Sequence, residues 1–119
     1  MEPSVLIRCS FWLLFFTAVV ALAMAWARFV ARRNPPLWLA MAHWFSAVAG
    51  LALLAYASLA LGVPRLANWA LVLLFACAAG GVVIKLGYEL KEVPVKLCTV
   101  HTLLGIAGFL LLTDVVFWS

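Results

Sequence analysis

The chain has two histidines, and they occupy matching places in its pattern. His43 lies seven residues after Pro36 and seven before Gly50, while His101 lies seven after Pro94 and seven before Gly108. A neutral imidazole offers one nitrogen lone pair and one N–H, so a pair of imidazoles can ligate a metal, bind a hydrogen-bonding ligand, or tie helices together. The other residue types suggest little further chemistry. We find no paired carboxylates inside an apolar run, no phosphate-binding glycine loop, and no Ser/His/Asp or Cys/His arrangement suited to hydrolysis.

Both histidines have small neighbours at helical spacing: Ala40, Ser46, Ala47 and Gly50 around His43, and Cys98, Gly105 and Gly108 around His101. The pattern suggests a space kept open for a flat cofactor between the helices that carry them, with His43 and His101 as axial ligands. Haem b fits that description best, because imidazole binds haem iron and helix bundles build cofactor sites from facing side chains. Its propionates would pair with Arg32, Arg33, Lys91 and Lys96, and Trp44 would form part of the wall. Gly80 and Gly81, with Ala76 a turn earlier, suit close helix packing and would also admit a cofactor edge.

Two other readings stay open. Small residues and histidines also serve plain helix–helix packing, and a different metal or a quinone could bind. A tetrahedral zinc or copper site usually needs more donors than two imidazoles; the nearest cysteine, Cys98, is three residues before His101.

The elements that must position these residues follow from composition. Of 119 residues, 69% are hydrophobic and 10% charged, which is far from the balance of a soluble domain. Four uncharged runs, at 9–27, 34–64, 66–84 and 97–113, are each long enough or nearly so to cross a hydrocarbon core of about 30 Å. The expected fold is all-α: an integral membrane four-helix bundle in one domain, 1–119, with helices over about 5–29, 36–62, 66–88 and 94–117. Ala23, Ala25 and Ala27 resemble a signal-peptidase pattern, but the run before them exceeds a usual signal core, so it is expected to be the first span. Pro36 and Pro94 are placed in the first turns of helices 2 and 4. The polar stretch Glu89-Leu90-Lys91-Glu92 links helices 3 and 4.

Laid over one another without a gap, 36–54 and 94–112 match at Pro36/Pro94, Leu39/Leu97, His43/His101, Ala49/Ala107, Gly50/Gly108, Leu53/Leu111 and Leu54/Leu112. Leu13-Leu14-Phe15 and Leu73-Leu74-Phe75 add a weaker match in helices 1 and 3. The bundle is therefore expected to be two repeated helical hairpins related by a pseudo-twofold axis along the membrane normal.

Six of the eight cationic side chains, Arg28, Arg32, Arg33, Lys85, Lys91 and Lys96, fall on one side of such a bundle, and Arg8 and Arg65 on the other. The positive-inside rule then puts both termini on the non-cytoplasmic side of a bacterial inner membrane. It also accounts for the net charge of +4 without a nucleic-acid partner. Cys9, Cys77 and Cys98 are expected to be small packing residues. Lys85 is expected to snorkel to the interface, and Asp114 to be a solvated end residue.

Through Pro36, His43 and Gly50, and through Pro94, His101 and Gly108, the chain resembles small bacterial four-helix membrane proteins that carry a P-x6-H-x6-G segment. More distantly it resembles cytochrome b561-type haem proteins, which commonly bind two haems through four histidines; two histidines here imply at most one. The leading expectation is a single-haem electron-transfer protein or redox-complex subunit rather than an enzyme on its own, since the chain is too small to house much chemistry alone, with the lipid bilayer, other membrane subunits or a second copy, and quinone as partners. A non-catalytic accessory subunit is the rival expectation. A small dimeric transporter coupled through Asp114 or Lys85 is the third.

Overall fold

A computed structural model describes residues 2–88 and 91–118; Glu89 and Leu90 of the expected polar link lie outside the described residues. Most of the described residues are helical, with no strand among them: α1 is Pro3–Phe29, α2 Leu37–Tyr56 continuing as a π-helical turn over Ala57–Leu61, α3 Arg65–Tyr88 and α4 Val95–Phe117.

Backbone chemistry explains the ends. Pro3 occupies the first turn of α1, where a missing N–H costs nothing. Pro36 and Pro94 sit one step earlier than the sequence suggests. Both are N-caps with extended ψ values of 147° and 133°, and their carbonyls accept the first helical N–H bonds, from Ala40 and Cys98. A proline's fixed φ suits this place, and the cap carbonyl can still begin the hydrogen-bond ladder.

α1 unwinds through Arg32, the one described non-glycine residue with positive φ, at 57°. The Ala31 and Arg33 N–H groups turn back onto the Trp26 and Ala27 carbonyls, closing the orphan end of the helix. At the far end, Gly62 with φ 80° stops the π turn before Pro64. The π turn itself is not visible in the residue pattern. Across that connection the Ser58 hydroxyl donates to Asn68 Oδ1.

The helices pack chiefly in sequential pairs, α1 along α2 and α3 along α4. Each pair has one close approach built from a leucine and a glycine. Leu14 fills the space beside Gly50, where an added Cβ would lie 2.8 Å from the leucine Cγ. Sixty positions on in the first helix and fifty-eight on in the second, Leu74 fills the space beside Gly108, with the equivalent distance 2.7 Å. Leu54 and Leu112, also fifty-eight apart, are both fully buried. Ser10, fully buried, donates to the Gly50 carbonyl at 2.7 Å, while Ala70 is fully buried at the corresponding place in α3. An aromatic cluster joins α1 to α4 at the end opposite the histidines, with Phe11 stacked on Phe109 at 5.0 Å and edge-on to Phe117 at 5.3 Å.

The bundle measures 43 × 25 × 23 Å. All four helices are long and apolar enough to cross a membrane. Much of their outer surface is large apolar side chains, among them Leu22, Trp38, Phe45 and Phe75, each about 70% exposed (73%, 70%, 68% and 68%).

Candidate functional site

His43 and His101 each lie six residues into their helices, which at 1.5 Å per residue is about 9 Å from the start of α2 and of α4. Their rings do not point outward. His43 Nδ1 lies 3.1 Å from the Thr17 carbonyl of α1, and His101 Nδ1 lies 2.7 Å from the Cys77 carbonyl of α3. A carbonyl oxygen can only accept, so both Nδ1 atoms carry the proton and donate it. In this tautomer each Nε2 is left with its lone pair, the form in which imidazole ligates a metal.

Thr17 and Cys77 are themselves sixty positions apart. Around each contact a second layer of bonds holds the backbone that bears the histidine. The Cys77 thiol donates to the His101 carbonyl at 3.2 Å. In the other pair, Thr17 Oγ1 and Ser46 Oγ share a hydrogen bond of 2.6 Å, and the Ser46 hydroxyl lies 2.7 Å from the Ala42 carbonyl and 3.1 Å from that of His43. The His101 ring rests on a notch in α3: an added Cβ at Gly81 would lie 3.1 Å from its Cε1, and one at Gly80 3.6 Å from its Nδ1.

Both histidines line one cleft of about 420 Å³, within the size range of small-molecule sites. All four helices contribute to it, largely at corresponding positions: Ala21 and Gly81, Met24 and Ile84, Ala40 and Cys98, besides the histidines themselves. Trp44 forms part of the wall, as expected. Toward the end of the bundle that carries the α1–α2 connection, Arg28, Asn34, Lys85 and Tyr88 complete the lining.

The other expected site residues are placed differently. Gly50 and Gly108 do not border the cleft; Leu14 and Leu74 occupy the room beside them. Gly105 faces Cys77, whose Sγ would lie 3.1 Å from an added Cβ, and Ala47 does not line the cleft either. These small residues let helices approach, as such residues do at membrane-type helix contacts. Arg32, Arg33 and Lys91 line a neighbouring basin of about 340 Å³, which shares Arg28, Phe29 and Asn34 with the cleft; Lys96 borders neither.

Thr17, Ser46 and Cys77 escape a reading by residue type. Cys77 was expected to pack as an apolar residue, yet it both accepts from and donates to His101. The signal that could have found them is their register, since Thr17 and Cys77 stand at the same place relative to Leu14 and Leu74.

Among the described residues, no group of three or more His, Cys, Asp or Glu side chains could hold a bare metal ion. The site offers two imidazole donors and apolar walls. No protein-family model, curated protein or solved structure matches the chain.

Proposed function

We propose that this chain is a four-span membrane protein made of two repeated hairpins, which binds one b-type haem between α2 and α4 and carries electrons. The observation that supports this reading most is that two imidazoles, both with Nδ1–H committed to a backbone carbonyl, line the same cleft. Ligating histidines usually donate their second nitrogen in this way, which holds the ring in place and raises the basicity of the first. Haem is the metal group that asks least of the protein, because the macrocycle supplies four nitrogens and two axial donors complete the set.

In this assignment His43 and His101 would hold the iron through Nε2, and Trp44, Met24 and Ile84 would enclose the macrocycle. Gly81 would give room to the His101 ring that rests against it, and the small side chains of Ala21, Ala25 and Ala40 would leave space along the walls. Arg28 and Lys85 would meet the propionates, a role the sequence alone assigned to Arg32, Arg33, Lys91 and Lys96. When bound, the haem would supply a one-electron couple. The chain would orient it, exclude water from it and tune it through the Thr17 and Cys77 carbonyls.

The membrane reading is supported by four helices of sufficient length and hydropathy and by apolar side chains covering their outer faces. Backbone groups inside a bilayer must be paired internally, which an all-helical chain achieves. The gathering of cations at one end supports an inner-membrane orientation with both termini outside. Such a small carrier would exchange electrons with neighbouring membrane subunits, with a second copy, or with quinone.

A second reading has its own observation. The same Nδ1–H bonds tie α2 to α1 and α4 to α3, so the histidines could serve as interhelical ties in a non-catalytic accessory subunit. Haem content decides between the two. Protein purified in detergent from cells supplied with a haem precursor should contain about one b-type haem per chain by pyridine haemochromogen assay. A well-folded protein that purifies without haem and takes up none when it is added would favour the structural ties.

A further inference from the structure

The basin beside the histidine cleft shares Arg28 with that assignment, which leaves its other cations unused. It is built by the end of α1 and the two connections at one end of the bundle, and is lined by Arg28, Arg32, Arg33 and Lys91, with Asn34 and Glu92 beside them. Four cations and one carboxylate border a space of about 340 Å³. Cations drawn together repel one another, and that repulsion is relieved when an anion settles among them.

The backbone holds this arrangement in place. Arg32 is in the left-handed region, φ 57°, which side-chain-bearing residues seldom adopt. The Arg33 N–H to Ala27 carbonyl bond of 3.0 Å ties the turn to the end of α1. On the other side Val93 is buried, 4% exposed, and anchors the second connection next to Lys91 and Glu92. Phe29, also bordering the basin, is 42% exposed and offers an apolar edge. Guanidinium groups grouped in this way suit a phosphate's oxygens, which they can meet two at a time.

We propose that this basin binds the phosphate of an anionic lipid headgroup. The inference rests on the membrane reading above, since only a chain in a bilayer would hold these connections at headgroup level; it does not rest on haem. Basic pockets between helices on the cytoplasmic side are where such headgroups dock. Phe29 would lie along the glycerol or upper acyl region while Arg32, Arg33 and Lys91 take the phosphate.

The test uses the whole chain purified in dodecyl maltoside, titrated separately with short-chain phosphatidylglycerol, short-chain phosphatidylcholine and inorganic phosphate. Phosphatidylglycerol is expected to bind saturably and at least tenfold more tightly than phosphatidylcholine. Arg32→Gln, Arg33→Gln and Lys91→Gln should each weaken it by about fivefold, the scale of one surface cation's contribution, and Lys96→Gln, outside the basin, should leave it unchanged. Arg33→Lys should stay within a few-fold of the parent, which separates charge loss from misfolding. Equal binding of the two lipids, or glutamine variants that bind as the parent does, would overturn the proposal. Inorganic phosphate binding as tightly as the lipid would assign the site to free phosphate and overturn the lipid assignment. Extraction of the chain from membranes by alkaline carbonate would remove the membrane reading itself, a result distinct from loss of lipid binding in a chain that stays embedded.

Discussion

His101 and Cys77 hold each other from both directions: the imidazole Nδ1–H donates to the Cys77 carbonyl at 2.7 Å, and the Cys77 thiol donates to the His101 carbonyl at 3.2 Å. Two helices are thus joined at one residue pair by bonds of opposite sense. The ring is held chiefly by the carbonyl; the thiol holds the backbone that carries the ring and makes a longer contact, 3.5 Å, with Nδ1. These two contributions can be separated by mutation.

Replacing Cys77 by alanine removes the thiol bond and leaves the carbonyl. We expect Cys77→Ala to lower stability by about 1 kcal/mol, the scale of a single hydrogen bond, and to leave any bound pigment in place. Thermal unfolding in detergent, followed together with the visible absorption of the same sample, checks both halves. Loss of the pigment with stability unchanged would mean that the thiol, not the carbonyl, governs the ring.

The notch at Gly81 gives a steric prediction. An added Cβ there would lie 3.1 Å from His101 Cε1, so Gly81→Ala requires a shift of a few tenths of an ångström and Gly81→Val a displacement of the ring. Gly81→Val should therefore change the ligand spectrum far more than Ala21→Val at the corresponding place in α1 changes it through His43. Absorption spectra of the two valine variants, measured at equal protein concentration, make the comparison.

Overpacking separates the glycines that serve packing from one that does not. Gly108→Ala and Gly50→Ala would put a Cβ 2.7 and 2.8 Å from leucine Cγ atoms that cannot swing away freely. Each should cost about 1–3 kcal/mol. Gly108 should be the worse, because the Leu74 backbone N is also only 3.2 Å away. Gly87→Ala meets nothing within 4 Å and should be neutral or slightly stabilising. Denaturation midpoints of the three variants test the order.

Orientation can be read with reporters. Alkaline phosphatase is active only outside the cytoplasm, so a fusion after Trp118 should be active, and one inserted at Asn34 inactive. The opposite pattern would invert the topology drawn from Arg28, Arg32, Arg33, Lys85, Lys91 and Lys96.

How far the chain could be read before its structure depended on the kind of information involved. Helix number and extent follow from uncharged runs between charges, and the observed bounds lie within two residues of the expected ones, apart from the end of regular α2 at Tyr56. There the last turn widens into a π turn over Ala57–Leu61, a backbone adjustment that no residue type announces. The pairing of His43 with His101 in one cleft was legible because imidazoles are rare in apolar helices and their spacing from proline repeats. The hydrogen-bond partners were not, because they are backbone carbonyls, and a carbonyl has no residue identity: Thr17 and Cys77 look unrelated. The small residues were recognised but given the wrong neighbour. Which side chain fills the room beside Gly50 or Gly108 depends on the facing helix, and Leu14 and Leu74 take it. Likewise, the choice of Arg28 and Lys85 over Arg32, Arg33 and Lys96 at the cleft depends on how the ends of α1 and α3 are rotated, which charge counting does not resolve.

The central claim is tested most directly by the reduced-minus-oxidised visible spectrum of the purified chain beside those of His43→Ala and His101→Ala. A b-type haem spectrum is expected in the parent, with its loss in either variant and partial recovery when imidazole is added to stand in for the missing side chain. A parent without absorption in the Soret region, or two variants whose spectra match the parent's, would contradict it.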